Sequence, residues 1–83
     1  MKLIILTSRE RLYRDEVKEA ILPGRDGELS VWDFHQPFLC RLRRGYIEAV
    51  KPGAGSARPA RLFLVKDGLA KMRGNVLTVL AEV

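Results

Sequence analysis

His35 is the chain's single histidine, and an imidazole that titrates near neutrality can act as a base, a metal ligand or a pH switch. Each of those roles needs company. Cys40 is the single cysteine, so neither a second histidine nor a cysteine pair stands at metal-ligand spacing. Cys40 alternates in phase with Phe38 and Leu42, which reads as a small buried hydrophobe and not as a nucleophile beside a base. Asp26 and Glu28 stand close enough to suggest an acid–base pair, but two carboxylates do that work only in a pocket that drives their pKa values apart. Between turn glycines they read as a turn aspartate and a surface glutamate. Gly24-Arg25-Asp26-Gly27 lacks the Lys-Ser/Thr element and the following helix of a phosphate loop. The residues therefore predict no catalytic group, no metal site and no cofactor: this is not an enzyme on its own.

The elements that position these residues must come from a small domain. A chain of 83 residues supports one domain, 1–83, and buries only about 60–65% of the surface its unfolded form exposes, so its core is thin. With 47% hydrophobic and 30% charged residues it is globular and not a disordered tail. No apolar run approaches the roughly 20 residues of a membrane span, and the one in 1–6 stops at Thr7, too short for a signal peptide core. The net charge of +5 raises nucleic acid as a partner, with Arg41, Arg43 and Arg44 clustered near Tyr46. Tyr13, Trp32, Phe34, Phe38 and Phe63 do not interleave with basic residues as a stacking platform would. A basic β-domain that binds nucleic acid is the alternative reading, and a solvated basic surface is the preferred one.

Most of the chain reads as short strands between turns. Residues 2–7 form an aliphatic run suited to a buried strand. Residues 12–22 are ambiguous: Leu12, Tyr13, Val17, Ala20 and Ile21 fall near one helical face, and periodicity alone favours helix. Pro23-Gly24 and Asp26-Gly27 are turn signals, and 28–31 is a short strand. From Phe38 the alternation is clear, with Phe38, Cys40 and Leu42 on one face and Leu39, Arg41 and Arg43 on the other. Gly45 redirects the chain into 46–51, and 52–59 reads as a mobile hairpin loop. Leu62 to Val65 are apolar on both faces, which predicts a strand within 61–66 covered on both sides. Asp67-Gly68 is a hairpin signal, 69–73 follows, and Gly74-Asn75 turns the chain into 76–83, where Leu77, Val79, Ala81 and Val83 share a face.

The order of these motifs resembles the N-terminal domain of the epsilon subunit of F-type ATP synthases, called delta in mitochondria. The resemblance rests on the opening Met1 to Thr7, on Leu22-Pro23-Gly24 followed by Asp26-Gly27-Glu28-Leu29, and on the ending Gly74-Asn75-Val76-Leu77-Thr78-Val79-Leu80-Ala81. Between them, Ser30 to Leu39 stands where the family usually has Gly-Ile/Val-Leu/Tyr-Pro-Gly-His-Ala-Pro-Leu-Leu. Ser30 replaces a glycine of that pattern, Trp32-Asp33-Phe34 replaces the proline-glycine approach to His35, and Lys66-Asp67 replaces a common Ser-Gly.

The resemblance implies an all-β fold, a small flattened antiparallel β-sandwich, and so turns 12–22 into strands. It implies a rotor subunit of the central stalk that docks on the gamma subunit and the c-ring and couples ion transport to ATP synthesis and hydrolysis. Glu28, with Asp26 and Leu29, corresponds to the c-ring contact. His35, Pro37, Phe38 and Leu39 correspond to the gamma contact. No obligate homo-oligomer is implied, and the place is peripheral, on the cytoplasmic face of the inner membrane. Family members commonly add a C-terminal helical hairpin that restrains ATP hydrolysis. The sequence as read ends with the sandwich at Val83, so the expectation is coupling without inhibition by that hairpin.

Overall fold

The computed structural model describes residues 1–52 and 61–83. Among them are nine strands and no helix: β1 (Lys2–Leu6), β2 (Arg11–Glu16), β3 (Glu19–Gly24), β4 (Gly27–Trp32), β5 (Phe38–Leu42), β6 (Gly45–Val50), β7 (Arg61–Val65), β8 (Asp67–Arg73) and β9 (Val76–Glu82). The stretch 12–22 is thus strand on both sides of a bend at Lys18. Its helical periodicity loses to pairing. In β3, Ala20 and Leu22 are fully buried while Glu19 and Ile21 face outward, an alternation that a helix could not satisfy against this sheet.

The strands form one curled sheet in the order β2-β1-β9-β8-β5-β3-β6-β7, with β4 paired to β3. The curl happens between β5 and β3, whose ladder is reduced to the single pair Gly24 and Leu42. Two backbone hydrogen bonds reinforce that hinge, from Arg25 N–H to the Arg41 carbonyl at 2.8 Å and from Arg43 N–H to the Pro23 carbonyl at 2.9 Å. The result is a sandwich with β2-β1-β9-β8-β5 as one layer and β4-β3-β6-β7 as the other. The expected antiparallel pairing holds throughout the described ladders except between β1 and β9, which run parallel with Leu3 beside Leu77 and Ile5 beside Val79.

The core lies between the layers. Leu3, Ile5, Leu77, Val79 and Met72 come from one side, and Leu22, Val31, Ile47 and Val65 from the other, each almost wholly removed from water. The far ends of the curled sheet, β2 and β7, share no ladder, and side chains close the seam between them. The Tyr13 and Phe63 rings lie 5.1 Å apart, and the Arg61 guanidinium sits over both, 5.4 Å and 5.1 Å from their centroids. Lys51 pairs with Asp15 across the same seam.

Three expectations change. Leu62 and Leu64 are exposed, so β7 is covered on one face only: it is an edge strand whose outer side meets solvent. Asp67-Gly68 is not a hairpin turn, since β7 pairs with β6 and β8 with β9 and β5. The chain bends at Lys66 and crosses from one layer to the other. Gly68 is needed for closeness, because a Cβ there would stand 2.6 Å from the Leu80 carbonyl oxygen. Val83 lies outside β9 and is exposed, so it does not share the buried face of Leu77 and Val79. The loop expected at 52–59 lies, from residue 53 on, outside the described residues.

Candidate docking site

The hairpin β3–β4 carries Asp26 and Glu28 at its tip, and the Gly24-Gly27 pair makes that tip tight. A Cβ on Gly24 would meet the Gly27 carbonyl oxygen at 2.5 Å, and Gly27 has φ of +136°. Both carboxylates are exposed, while Leu29 faces inward and packs half-buried against the core. The turn leans on β5, so Asp26, Glu28, Leu29, Leu39, Cys40 and Arg41 line one shallow cleft. Burial pushes the Cys40 thiol above its ordinary pKa, which disfavours the thiolate a nucleophile needs.

His35 lies at the opposite end of the same hairpin, three residues past Trp32, whose carbonyl accepts the His35 N–H at 3.2 Å. The ring meets Phe38 edge-on at 5.2 Å between centroids, and Nδ1 donates to the Gln36 carbonyl at 2.8 Å. A carbonyl only accepts, so this contact fixes the proton on Nδ1. Phe38 packs half-buried against the core, whereas Pro37 and Leu39 are exposed and share a groove with Lys71 and Arg73. The structure therefore joins Leu39 to both sets. The c-ring candidates stand beside it at one end of β5, and His35 and Pro37 stand near the other.

The replaced approach to His35 is held in place by long-range contacts. Phe34 has φ of 61°, a left-handed value, at the position where the family pattern carries glycine. Its N–H donates to the Asn75 side-chain carbonyl at 2.7 Å, and Asp33 pairs with the Met1 amino group. The Phe34 ring is 83% exposed, and Trp32 beside it is also exposed. Sequence reasoning missed both as candidate contacts. Their signal was present in the departure itself, two large aromatics where the pattern has small or turn residues.

A larger feature went unread. Along β5, β8, β9 and β1 the outward residues align in rows, Arg41–Leu69–Leu80–Leu6 and Leu39–Lys71–Thr78–Ile4. Leu39, Leu69 and Leu80 are exposed there at 68%, 43% and 53%. On the other layer the outward residues include Glu19, Glu28 and Glu48 with Tyr46, Leu62 and Leu64. The first layer carries both signs on its outer face, with Glu16, Asp67 and Glu82 beside Lys2, Arg14, Arg41, Lys71 and Arg73, and only strand register could reveal these rows.

Arg41 pairs with Asp67 at 3.4 Å, and Arg43 donates to the Arg44 carbonyl at 3.2 Å, so two members of the basic cluster seen in the sequence make contacts within the domain. Among the described residues no group of three or more His, Cys, Asp or Glu side chains gathers as a metal would require.

Comparison with known proteins agrees with this fold. The family model of the ATP synthase delta/epsilon chain β-sandwich domain matches residues 1–83. An ATP synthase epsilon chain of Parvibaculum lavamentivorans is 36% identical over 78 residues, covering 93% of this chain and 56% of its own length. A second epsilon chain of Ralstonia nicotianae is 42% identical, covering 94% and 53%. The chain thus spans about half the length of the curated relatives it matches. In the central stalk and c-ring structure of the Tetrahymena thermophila mitochondrial ATP synthase, one chain superposes with a TM-score of 0.80 at 14% identity, covering all of this chain and 63% of its own. A chain of the Euglena gracilis mitochondrial ATP synthase gives 0.83 at 17%, over 95% and 48%. With the curled sandwich, the tight β3–β4 turn and a family match over its whole span, the chain belongs to the ATP synthase delta/epsilon family, in its β-sandwich domain.

Proposed function

We propose that this domain is the part of a central-stalk rotor subunit that docks on the gamma subunit and on the loops of the c-ring, peripheral to the membrane, and so helps couple ion transport to ATP turnover. It acts by holding partners and carries no catalytic step. The observation that carries this reading is the shared cleft: exposed Asp26 and Glu28 stand beside exposed Leu39, so two partners can be gripped at neighbouring places on one edge. Asp26 and Glu28 meet polar loops, where charged rim contacts set register and association rate. Phe34, His35, Pro37 and Leu39 meet gamma, where buried apolar contacts carry affinity.

The inward packing of Leu29 and Phe38 gives them a supporting part, each holding its exposed neighbour in position. The family match supports this reading over nucleic-acid binding.

The test is a pull-down of the tagged protein from membranes of its own cells. Recovery of gamma and the c-ring is expected, and their absence while the protein is folded and abundant would overturn the proposal. Deleting the subunit should uncouple ATP turnover from ion transport.

A further inference from the structure

Among the described strands, β2, β4 and β7 end the sheet, each with one side that pairs with no other strand. An unpaired edge is a template for a further strand, and charge is a common guard against it. β2 carries Arg11, Arg14, Asp15 and Glu16, and β4 carries exposed Glu28. β7 has no charge from Leu62 to Val65, and the Arg61 guanidinium is drawn over Tyr13 and Phe63 at the seam. Leu62 and Leu64 are exposed on its outer face, beside exposed Tyr46 of β6. The direction of the edge's backbone groups follows by alternation. The Val50 carbonyl accepts the Lys18 N–H at 2.7 Å, so the polar groups of Val50 face β3. Those of Ile47 and Ala49 then face β7 and meet Phe63 and Arg61. Leu62 and Leu64 therefore turn N–H and C=O to the open side, and among the described residues no backbone hydrogen bond outside the ladders uses them.

We infer that β7 is a pairing edge for β7 of a second copy of this chain, in an antiparallel dimer with Phe63 at the two-fold axis. The edge is self-complementary: Leu62 and Leu64 flank Phe63, so Leu62 of each copy exchanges both backbone hydrogen bonds with Leu64 of the other. Arg61 comes opposite Val65, so no like charges meet directly across the pair. On the outer face Tyr46 and Leu64 of one copy run on into Leu62 and Glu48 of the other, which joins the exposed apolar side chains of both into one patch. A single short strand pair is small beside the roughly 1,200 Å² of a stable interface, so the dissociation constant is on the order of 0.1–1 mM and the dilute chain is monomeric. β7 lies at the far end of the sheet from the hinge between β5 and β3. Pairing there leaves the docking edge open, and the inference stands apart from the stalk reading.

Sedimentation velocity of the full chain from about 10 µM to about 1 mM should show monomer giving way to dimer. In a sample that mixes isotope-labelled and unlabelled copies, a nuclear Overhauser contact should join Phe63 Hα of one copy to Phe63 Hα of the other, as a directly opposed pair without mutual hydrogen bonds requires. Leu62→Lys places a charge on the edge and should raise the dissociation constant by about tenfold or more. Leu64→Pro removes an edge N–H, which an outward-facing edge position tolerates in the monomer, and should weaken the dimer likewise. Unfolding curves are recorded for each variant, and if Leu64→Pro does not fold, Leu62→Lys decides. Leu69→Lys with Leu80→Lys, exposed on the other layer, should leave dimerisation unchanged. A chain that stays monomeric at the highest concentration overturns the inference. So does a dimer that survives Leu62→Lys, or one lost only with Leu69 and Leu80.

Discussion

The backbone N–H of Phe34 donates to the side-chain carbonyl of Asn75 at 2.7 Å, and both residues hold left-handed backbone angles, 61° and 58°. One contact therefore ties the loop before His35 to the β8–β9 turn. A left-handed angle costs a non-glycine residue about 1–2 kcal/mol. At Phe34 that strain holds an exposed aromatic ring beside the docking edge.

Phe34→Gly relieves the strain but loosens the unfolded chain, so stability should stay level or rise by about 1 kcal/mol at most. Affinity for gamma should fall nonetheless. Urea unfolding and a binding titration on the same variant separate the two, and an equal affinity would remove Phe34 from the interface.

Asn75→Ala loses the acceptor for the Phe34 N–H and puts a less tolerant residue at a left-handed angle, for a combined cost of about 2 kcal/mol. Asn75→Gly keeps the angle and loses only the acceptor, so it should cost about 1 kcal/mol. Equal costs for the two variants would show that the hydrogen bond alone matters at this site.

Leu22 is fully buried where the layers face each other, and Leu22→Ala should cost about 2–5 kcal/mol in urea unfolding. By contrast Leu64→Ala, on the open face of β7, should change stability by no more than about 0.5 kcal/mol. A large loss at Leu64 would contradict the exposure of that edge.

Asp15 is held below the ordinary aspartate value of 3.8, first by its hydrogen bond from Lys51 and then by the Glu16 N–H. Asp67 is lowered too, first by the Gly68 N–H and then by Arg41. A carboxylate lowered on folding stabilises the folded state above its unfolded pKa and loses that contribution as pH falls through the folded one. Thermal stability should therefore be level through neutral pH and decline below about pH 4, where unfolded aspartates take up protons. Asp15→Asn with Asp67→Asn should flatten that decline, and an unchanged acid limb would assign it to other groups.

Much of the fold was legible because turns and alternation carry it. Phe38, Cys40 and Leu42 declared their face by period two, and Gly24 to Gly27 declared the tight turn. The stretch 12–22 was not legible from periodicity, since charges at Arg14, Asp15 and Glu16 fit a helix face as well as an edge strand; the family resemblance turned it into strands, and the pairing of β2 with β1 bears that out. Asp67-Gly68 misled for a related reason: glycine serves a turn and a close approach to Leu80 alike, and sequence does not tell them apart. At the candidate site, Asp26, Glu28 and His35 were singled out by the family resemblance and not by their spacing, and Leu69, Leu80 and Leu6 by neither. Their shared row depends on the register of the β8–β9 hairpin with β1, which is distant from it in sequence.

The parallel pairing of β1 with β9 makes the first strand wait for one made more than seventy residues later. During vectorial synthesis at about 5–20 residues per second, β1 leaves the ribosome with only β2 as a neighbour, and β8 follows with one side bare. The nascent chain therefore carries two unsatisfied edges until β9 emerges and enters between them, filling both at once. The slot between β1 and β8 is therefore the place where a wrong strand could pair before β9 is made.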